Sequence, residues 1–385
     1  MVVRNLLGYS ACLMVSVLAI SCQDDTQLKA TGEIYLDLPA ERYQYNNFAD
    51  SNNAISTLGR VLFYDRNLSI NNTIACASCH KQQYGFADNQ AFSRGFAGKF
   101  TTRNSMPVQN LGGFGPIAFE DFKNVIDPGF GFNEGHLFWD GRESRLEKLV
   151  LQPIGNHIEM GVADGQTLTE KISALPYYTS LFTDAFGSAA ITTDNISTAI
   201  TAFCNSINTA NTRFDRFNQS RLVGDGSVTN NKILNPLEVE GMLLFEQKYN
   251  CNSCHGVQST NGYVFAGTFA NIGLDEQYSD PGREKVTGNP NDEGKFKIPS
   301  LRNVIYTAPY MHDGRFATLE EVVEHYSSGI ADHPNLDPKL QDGSGHAKNM
   351  NISEHEAKAI IAFLHTLSDE NVLTDPKFSD PFKIK

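Results

Sequence analysis

The chain has 385 residues, of which 41% are hydrophobic and 19% are charged, so the composition excludes intrinsic disorder and allows two domains of ordinary size. The formal net charge is −13 and Lys and Arg form no dense clusters, which argues against nucleic acid or an anionic lipid surface as the main partner. No apolar run long enough to span a bilayer follows the N-terminal segment, so no membrane-spanning helix is expected in the body of the chain.

The N-terminal segment has the pattern of an export signal. Arg4 precedes a short apolar stretch, which predicts a signal peptide over residues 1–21. Residues 18–22 also resemble the end of a lipoprotein signal, in which the cysteine is acylated; an ordinary signal with an incidental cysteine is the alternative. We therefore predict a periplasmic or cell-envelope protein with a lipid anchor at Cys22 and a polar tether over 22–44, and no other contact with a membrane.

The body of the chain is expected to be mainly helical. Apolar residues recur at helical spacing after Asp194, and N-cap patterns open three further helices. The helical positions are Ile196, Ile200, Phe203, Ile207 and Phe214, and the N-cap patterns are Asn235-Pro236, Thr318 to Glu321 and Ser353 to Glu356. Residues 110–133 and 256–297 are rich in Gly, Asn and Phe and predict long irregular loops, with little strand.

Four of the seven cysteines form two copies of one pattern, Cys-x-x-Cys-His: Cys76, Cys79 and His80, then Cys251, Cys254 and His255. This is the attachment signature of c-type haem, with two thioether-forming cysteines and an axial histidine. Structural zinc, disulfides or redox-active pairs also use Cys-x-x-Cys, but none needs the adjacent histidine. We predict two covalently bound c-type haems, and a buried, unreactive Cys204.

The residues around the first motif recur around the second. The matching segments are 59–63 and 241–245, Arg103-Asn104 and Arg302-Asn303, and Asp140-Gly141-Arg142 and Asp313-Gly314-Arg315. We therefore predict two cytochrome c-like haem domains related by internal duplication, over 45–218 and 219–370, followed by a C-terminal tail over 371–385.

The ordered motifs resemble the bacterial di-haem cytochrome c peroxidase family, in its MauG-like branch. Besides the two haem motifs, the resemblance rests on Phe138-Trp139-Asp140-Gly141-Arg142, Leu301-Arg302-Asn303-Val304 and Ala308-Pro309-Tyr310-Met311-His312-Asp313-Gly314, and it covers roughly residues 45–370. It implies that the N-terminal haem reacts with hydrogen peroxide, with His80 as proximal ligand. The C-terminal haem, with His255 as proximal ligand, would then supply electrons.

The resemblance also implies roles for two further residues. In this family a tryptophan between the haems relays electrons, which corresponds to Trp139, and a glutamate twenty residues later assists peroxide cleavage, which corresponds to Glu159. Taken alone, Trp139 could be a core aromatic and Glu159 a solvated surface carboxylate. One calcium ion between the domains is implied as well, held by the Asn104 side chain and the backbone carbonyls of Thr307 and Pro309.

The sequence departs from the classical peroxidases at the distal side of the N-terminal haem. Alignment on the first Arg-Asn pair puts Phe96 where the family carries a distal histidine, and phenylalanine cannot bind iron. We therefore predict an open, five-coordinate N-terminal iron. His136 and His157 are the alternative ligands.

The second departure concerns the sixth ligand of the C-terminal haem. The family's ligand position lies fourteen residues after His312, and here that residue is Tyr326, as in MauG. Met311 is the alternative ligand, although the internal repeat matches it to Phe138 and suggests a packing role. Tyr326 could equally belong to the core.

The resemblance predicts a peroxidase that reduces hydrogen peroxide to water, with electrons from a small donor protein such as a cytochrome c or a cupredoxin. One alternative is a MauG-like oxidase in which a peroxide-derived ferryl haem acts on a protein or organic substrate. The other is a non-catalytic di-haem electron carrier. Members of the family are often dimers, so a homodimer is an assembly that the resemblance allows.

Overall fold

A computed structural model describes residues 34–38, 44–45, 48–49, 53–111, 137–209, 211–223, 232–256 and 269–384. This part of the chain is rich in helix and poor in sheet, as predicted. The helices are α1 (Asn53–Tyr64), α2 (Cys76–Cys79), α3 (Leu146–Leu149), α4 (Gln152–Gly155), α5 (Gly165–Ser173), α6 (Tyr177–Phe186), α7 (Thr193–Ser206), α8 (Arg213–Val223), α9 (Pro236–Leu243), α10 (Glu284–Thr287), α11 (Leu319–Ser328), α12 (Glu354–His365) and α13 (Asn371–Thr374). A short π-helical segment, Leu244–Lys248, continues α9.

The strands of the described residues are short and form antiparallel pairs. They are β1 (Ile34–Leu36), β2 (Gln44–Tyr45), β3 (Phe48–Ala49), β4 (Phe269–Ala270), β5 (Phe296–Lys297) and β6 (Phe382–Ile384). β1 pairs with β6, β2 with β3 and β4 with β5. Part of the predicted polar tether, 22–44, therefore forms strand β1 and packs on the C-terminal end of the chain.

The N-terminal core is organised around the crossing of α1 and α7. A Cβ atom on Gly59 would lie 1.8 Å from the carbonyl oxygen of Ala199, so the two helix backbones touch at a point that only glycine allows. Aliphatic and aromatic side chains around the crossing are almost completely buried and include Leu58, Leu62, Phe63, Phe182 and Phe203. Cys204 is buried in this core, as predicted from its helical pattern.

The C-terminal core repeats this contact between α9 and α12. A Cβ atom on Gly241 would lie 1.8 Å from the carbonyl oxygen of Ala359. Phe245 and Phe363 are buried beside the crossing, with ring centroids 5.4 Å apart. The predicted capping patterns at the starts of α9, α11 and α12 are confirmed, with Asn235, Thr318 and Ser353 as the capping residues.

The helical run predicted from Ile196 to Phe214 is wrong at its C-terminal end. Helix α7 ends at Ser206, and Phe214 belongs to α8, where its ring packs 5.4 Å from Phe363 in the C-terminal core. The break arises because the Asp215 side chain accepts hydrogen bonds from the backbone N–H and hydroxyl of Thr212, which starts a new helix. The predicted domain boundary after residue 218 thus falls inside α8.

The segment predicted as a C-terminal tail packs against the N-terminal core. Val372 and Phe378 are buried there. The Arg60 side chain donates from Nε to the carbonyl of Ser379 at 2.6 Å, and Gln82 donates from Nε2 to the carbonyl of Val372 at 3.0 Å. Among the described residues, no helix has both the length and the apolar character that crossing a bilayer requires. The predicted signal peptide and Cys22 lie outside the described residues.

Replacing either crossing glycine with alanine should destabilise the core to which it belongs. In Gly59→Ala and Gly241→Ala the added methyl group overlaps a backbone oxygen, so the helices must separate, and we expect a loss of about 1–3 kcal/mol in the free energy of unfolding. Thermal or denaturant unfolding of the purified protein measures this loss. Gly343→Ala is the control, because a Cβ atom there meets open space. Equal stability of all three variants would contradict the packing described above.

Candidate haem sites

The first Cys-x-x-Cys-His motif forms the short helix α2 and its C-terminal residue. The backbone N–H of His80 donates to the carbonyl of Cys76 at 2.9 Å, which closes the turn. The His80 ring nitrogen Nδ1 lies 3.1 Å from the carbonyl oxygen of Phe86. Because a carbonyl can only accept, Nδ1 carries the proton and Nε2 is left for a metal. Burial lowers the pKa of His80 and so favours the neutral ring that a metal requires.

The second motif has the same two hydrogen bonds as the first. The backbone N–H of His255 donates to the carbonyl of Cys251 at 2.9 Å, and His255 Nδ1 lies 3.1 Å from the carbonyl oxygen of Pro299. Burial lowers the pKa of His255 to about 4, which keeps the imidazole neutral. Sequence reasoning missed both carbonyl partners, since nothing in either motif specifies which loop carbonyl faces the ring.

The four motif cysteines form no disulfides in the described part of the chain. Burial, the largest cause, raises the pKa of Cys76 and of Cys251 to about 12 each, and that of Cys79 to about 11. The arrangement suits covalent attachment of a porphyrin beside a neutral axial histidine.

A cavity of about 900 Å³ lies against the first motif. Its volume is in the range of cofactor pockets. Residues from both halves of the chain form its walls, among them Cys76, Cys79, His80, Met106, Trp139, Asn156, Glu159, Asp280 and Lys297. Three residues that the sequence singled out separately, His80, Trp139 and Glu159, therefore line one cavity.

Glu159 presents a half-buried carboxyl to this cavity. The Asn156 side chain donates from Nδ2 to Glu159 Oε1 at 3.0 Å and holds the carboxyl in place. Burial raises the pKa of Glu159, and the nearby Arg142 offsets part of that rise. A carboxyl with a raised pKa in a cavity can both take and return a proton. Asn156 was not predicted, because its role depends on the tight turn that follows α4.

Phe96, His157 and His136 are the residues that the sequence suggested for the distal side of the first site. The backbone N–H of Phe96 donates to the carbonyl of Glu159 at 3.0 Å, and its ring packs against Gly161, whose Cβ atom would lie 2.4 Å away. His157 is exposed, whereas its neighbours Ile158 and Glu159 line the cavity. His136 lies outside the described residues.

Trp139 lies where the two halves of the chain meet. Its indole Nε1 donates to the carbonyl of Asn104 at 2.9 Å, and the backbone N–H of Asn104 donates to the carbonyl of His312 at 2.7 Å. The backbone N–H of Lys297 donates to the carbonyl of Trp139 at 2.8 Å. Trp139 thus borders the first motif's cavity and connects through Asn104 to the C-terminal half.

The turn that contains Trp139 has a geometric counterpart in the C-terminal half. Phe138 and Met311 both have left-handed backbone conformations, with φ of 66° and 74°. Each is followed three residues later by a left-handed glycine, and each turn is closed by one antiparallel bridge. Met311 therefore has the backbone role of Phe138, and His312 that of Trp139.

Tyr326 lies on α11 close to the second motif. Burial raises the pKa of its phenol, and Cys251 and Cys254 add smaller contributions to the rise. Its ring packs against the cluster of Ile330, Leu336 and Leu340. His325 packs edge-on against it, with ring centroids 5.2 Å apart. The predicted ligand is therefore near the C-terminal Cys-x-x-Cys-His turn.

Asn104 and Pro309, two of the three residues expected to hold calcium, both lie near Ala91. The buried Asn104 side chain donates from Nδ2 to the carbonyl of Gln90 at 3.0 Å, so its other atom, Oδ1, is the one that could bind a cation. Asn104 Nδ2 is also 3.4 Å from the carbonyl of Ala91. Ala91 and the Pro309 ring both border the point where a Cβ on Gly314 would lie. Thr307 packs its methyl group near Gly85.

One ion-pair network joins the two halves and was not predicted. Arg103 Nη1 donates to Asp140 at 2.6 Å, and Arg103 Nε and Nη2 donate to the two oxygens of Asp280 at 2.6 and 2.8 Å. Burial alone would raise the pKa of Asp280, but the hydrogen bonds and charge of Arg103 outweigh it and hold that pKa below its usual value. The partner was missed because Asp280 lies in a long loop that carries no motif.

Two helical cores, each with a Cys-x-x-Cys-His turn whose histidine is oriented by a carbonyl, define the class of di-haem c-type cytochromes. A sequence model described as di-haem cytochrome c peroxidase matches residues 53–222. The chain is 32% identical over 321 residues to the cytochrome c551 peroxidase of Nitrosomonas europaea, covering 82% of this chain and 80% of that protein. It therefore belongs to the di-haem cytochrome c peroxidase family, as the motifs predicted.

Further relatives support the same assignment. The methylamine utilization protein MauG of Methylorubrum extorquens is 31% identical over 316 residues, with 81% of this chain and 78% of MauG covered. The crystal structure of a MauG-like protein associated with microbial copper homeostasis superposes with a TM-score of 0.67 at 33% identity, covering 85% of this chain and 93% of that one. The di-haem peroxidase BthA of Burkholderia thailandensis, at 20% identity and a TM-score of 0.62, has the same fold.

Family membership confirms several of the expectations from the sequence. The chain is an oxidoreductase of the cytochrome c peroxidase type, it carries two c-type haems, and its chemistry depends on peroxide and an electron donor.

Proposed function

We propose that this protein is a di-haem peroxidase that reduces hydrogen peroxide to water at the N-terminal haem, with electrons passed from the C-terminal haem and an external donor. The single observation that carries this proposal is the position of Glu159. Its half-buried carboxyl, oriented by Asn156, shares one cavity with the His80 motif.

Each haem would be held by one Cys-x-x-Cys-His turn, with Cys76, Cys79 and His80 for the first and Cys251, Cys254 and His255 for the second. When bound, the haem iron supplies the electron-transfer chemistry that cleaves the peroxide bond. Glu159 takes a proton from one peroxide oxygen and returns it to the other, so that water can leave. Asn156 keeps the carboxyl turned towards the cavity while the proton moves.

We propose an open distal face at the first site. The exposed position of His157 and the packing of Phe96 against Gly161 both support a distal side without a protein ligand. Trp139 is the proposed route for electrons between the sites, supported by its hydrogen bond to Asn104 and the further link to His312. The electron donor is a small redox protein such as a cytochrome c or a cupredoxin.

The proposal also includes two related haem domains, a calcium ion between them and a location outside the cytoplasm. Two haem domains related by internal duplication are supported by the matching glycine contacts of Gly59 and Gly241. We further propose a calcium ion held by Asn104, Thr307 and Pro309 between these domains, since oxygen atoms are the ligands that calcium prefers. We also propose that the protein is located in the periplasm or cell envelope, with an acyl anchor at Cys22.

A MauG-like oxidase acting on a protein or organic substrate is the second candidate function. The residue that favours it is Tyr326, which lies beside the second motif and could supply a phenolate ligand, as in MauG. A neutral thioether from Met311 would raise the haem potential, whereas an anionic phenolate would lower it. The same peroxide-reactive first site serves both candidates.

Ferric absorption spectra and turnover separate these functions. A peroxidase should show one open haem that reacts with peroxide, and rapid steady-state oxidation of a reduced small cytochrome. An oxidase should react with peroxide but turn over the cytochrome slowly, while it oxidises a protein target. Two six-coordinate low-spin haems with no response to peroxide would instead identify an electron carrier and exclude both enzymes.

The sixth ligand of the second haem can be assigned with two variants. Tyr326→Phe removes the phenol oxygen but keeps the ring, so we expect the low-spin ferric spectrum of one haem to change while the other is unaltered. Met311→Leu is the matched control and should leave both spectra as in the wild type. The reverse pattern would give the ligand role to Met311.

A further inference from the structure

The cavity wall contributed by the C-terminal half carries a lysine whose charge is not neutralised. Lys297 ends β5, and its backbone N–H, bonded to the Trp139 carbonyl at 2.8 Å, fixes it beside the tryptophan. Its side chain lines the cavity that contains the first motif. Burial alone lowers the pKa of its ammonium to about 8, with no hydrogen bond or charge opposing the shift. Within the described part of the chain, its ammonium forms no ion pair.

The other cations that line the cavity already have anionic partners or face solvent. The guanidinium of Arg103 forms ion pairs with both Asp140 and Asp280. Arg142 also pairs with Asp140, and its guanidinium lies 3.5 Å from the centre of the Phe138 ring. Lys285 is exposed. Among the described residues that line the cavity, Lys297 is therefore the cation that would need an anionic partner from inside the cavity.

The protein's own carboxyls near the cavity do not supply this anion. Glu159 accepts a hydrogen bond from Asn156 Nδ2 at 3.0 Å, and within the described residues it forms no ion pair with Lys297. Asp280 is engaged by Arg103 and by the backbone N–H of Gly282. Lys297 is half-buried, and partial removal of an ammonium from water without a partner is unfavourable, so a group that enters the cavity with negative charge would stabilise it.

We propose that Lys297 forms an ion pair with a propionate carboxylate of the first haem, and so ties the C-terminal half of the chain to that haem beside Trp139. This inference rests on the proposed attachment of haem at Cys76, Cys79 and His80. Haem carries two propionates at its periphery, and one of them meets the requirement for an anion in this cavity. Lys297 is a positioning residue: it orients the haem edge and places a positive charge near it.

The consequence that can be measured is electrostatic. A positive charge near a haem favours the reduced iron, because reduction removes one positive charge from the site. Lys297→Met keeps the length of the side chain and removes the charge. We expect the equilibrium constant for reduction of the first haem to fall by roughly 15-fold, as for a unit charge removed at roughly 10 Å in a medium of effective dielectric constant ~20. The second haem should be unaffected.

The experiment uses the di-haem protein and two readouts that do not depend on turnover. Optical redox titration gives the potential of each haem, and resonance Raman spectroscopy follows the propionate bending mode, which shifts when a partner of the carboxylate is lost. Lys297→Arg retains the charge and should keep the potential of the wild type. Lys295→Met is the matched control two residues away, since Lys295 pairs with Asp292 at 3.1 Å and does not line the cavity.

Several outcomes decide the proposal. A lower potential and a shifted Raman band at the first haem of Lys297→Met alone support it, as does loss of that haem from Lys297→Met but not from Lys297→Arg. Unchanged potential and Raman band in a di-haem Lys297→Met protein overturn it, as does failure of both Lys297 variants to assemble. The haem content of the wild type tests the underlying site separately, because a wild type with no haem at His80 would refute the proposed function itself.

Discussion

Replacing Glu159 with glutamine should slow the reaction with hydrogen peroxide by roughly 10²–10⁴-fold, the contribution that positioned acid–base groups usually make. Glutamine keeps the size of the side chain and can still contact Asn156, but it cannot accept the peroxide proton. Stopped-flow mixing of the ferric di-haem protein with peroxide measures the rate directly. The absorption spectrum of the resting protein should be unchanged, because Glu159 is not a haem ligand in the proposed site.

The pH dependence provides a second test of the same residue. Burial holds the pKa of Glu159 above its ordinary value, so the protonated form persists to higher pH than in a free glutamate. A base must be deprotonated to act, so the wild-type rate should rise with pH through this raised pKa, and Glu159→Gln should lose that rise. Glu147→Gln, at a side chain that is 47% exposed, is the control. A Glu159→Gln protein as fast as this control would refute the proposed proton transfer.

Replacing Arg103 with methionine should destabilise the protein by about 3 kcal/mol, near the lower end for a broken buried ion pair. The Asp140 side chain is only 5% exposed and keeps Arg142, whereas Asp280, at 25% exposure, loses its two hydrogen bonds to a guanidinium. For domains of this size the expected fall in Tm is about 6–12 °C. Calorimetry of the di-haem protein measures it.

The control for this prediction is another arginine with a weak partner. Arg145 is 62% exposed and its guanidinium is 3.8 Å from Glu147, so Arg145→Met should change stability by less than about 1 kcal/mol. Equal Tm values for Arg103→Met and Arg145→Met would show that the Arg103 network does not stabilise the contact between the two halves.

Some elements were predictable because their causes lie within a few residues of sequence. The starts of α9, α11 and α12 follow from capping residues that bond to a backbone N–H three positions later. The continuation of α7 to Phe214 was wrong because apolar spacing alone does not register the restart at Thr212. Packing decided that Phe214 joins the C-terminal core, and no local pattern carries that information.

Some features of the candidate site could likewise be predicted from short sequence segments, and others could not. The two Cys-x-x-Cys-His motifs, and the family to which they point, could be recognised from short, ordered segments. The carbonyls that orient the histidines could not, since Pro299 lies 44 residues from His255, and Asp280 lies 177 residues from Arg103. Which of many loop carbonyls and carboxylates reaches a given side chain depends on the path of the whole chain.

The sequence by itself determined the two haem-attachment motifs, the helical class and the starts of α9, α11 and α12, because each depends on residue types at short, regular spacing. Only the tertiary structure decided that His80, Trp139 and Glu159 share a cavity, that α1 and α7 touch at Gly59, and that Lys297 faces the first site from the other half. These features arise from contacts between segments distant in the chain, where burial and packing select one arrangement among many that the same local patterns allow.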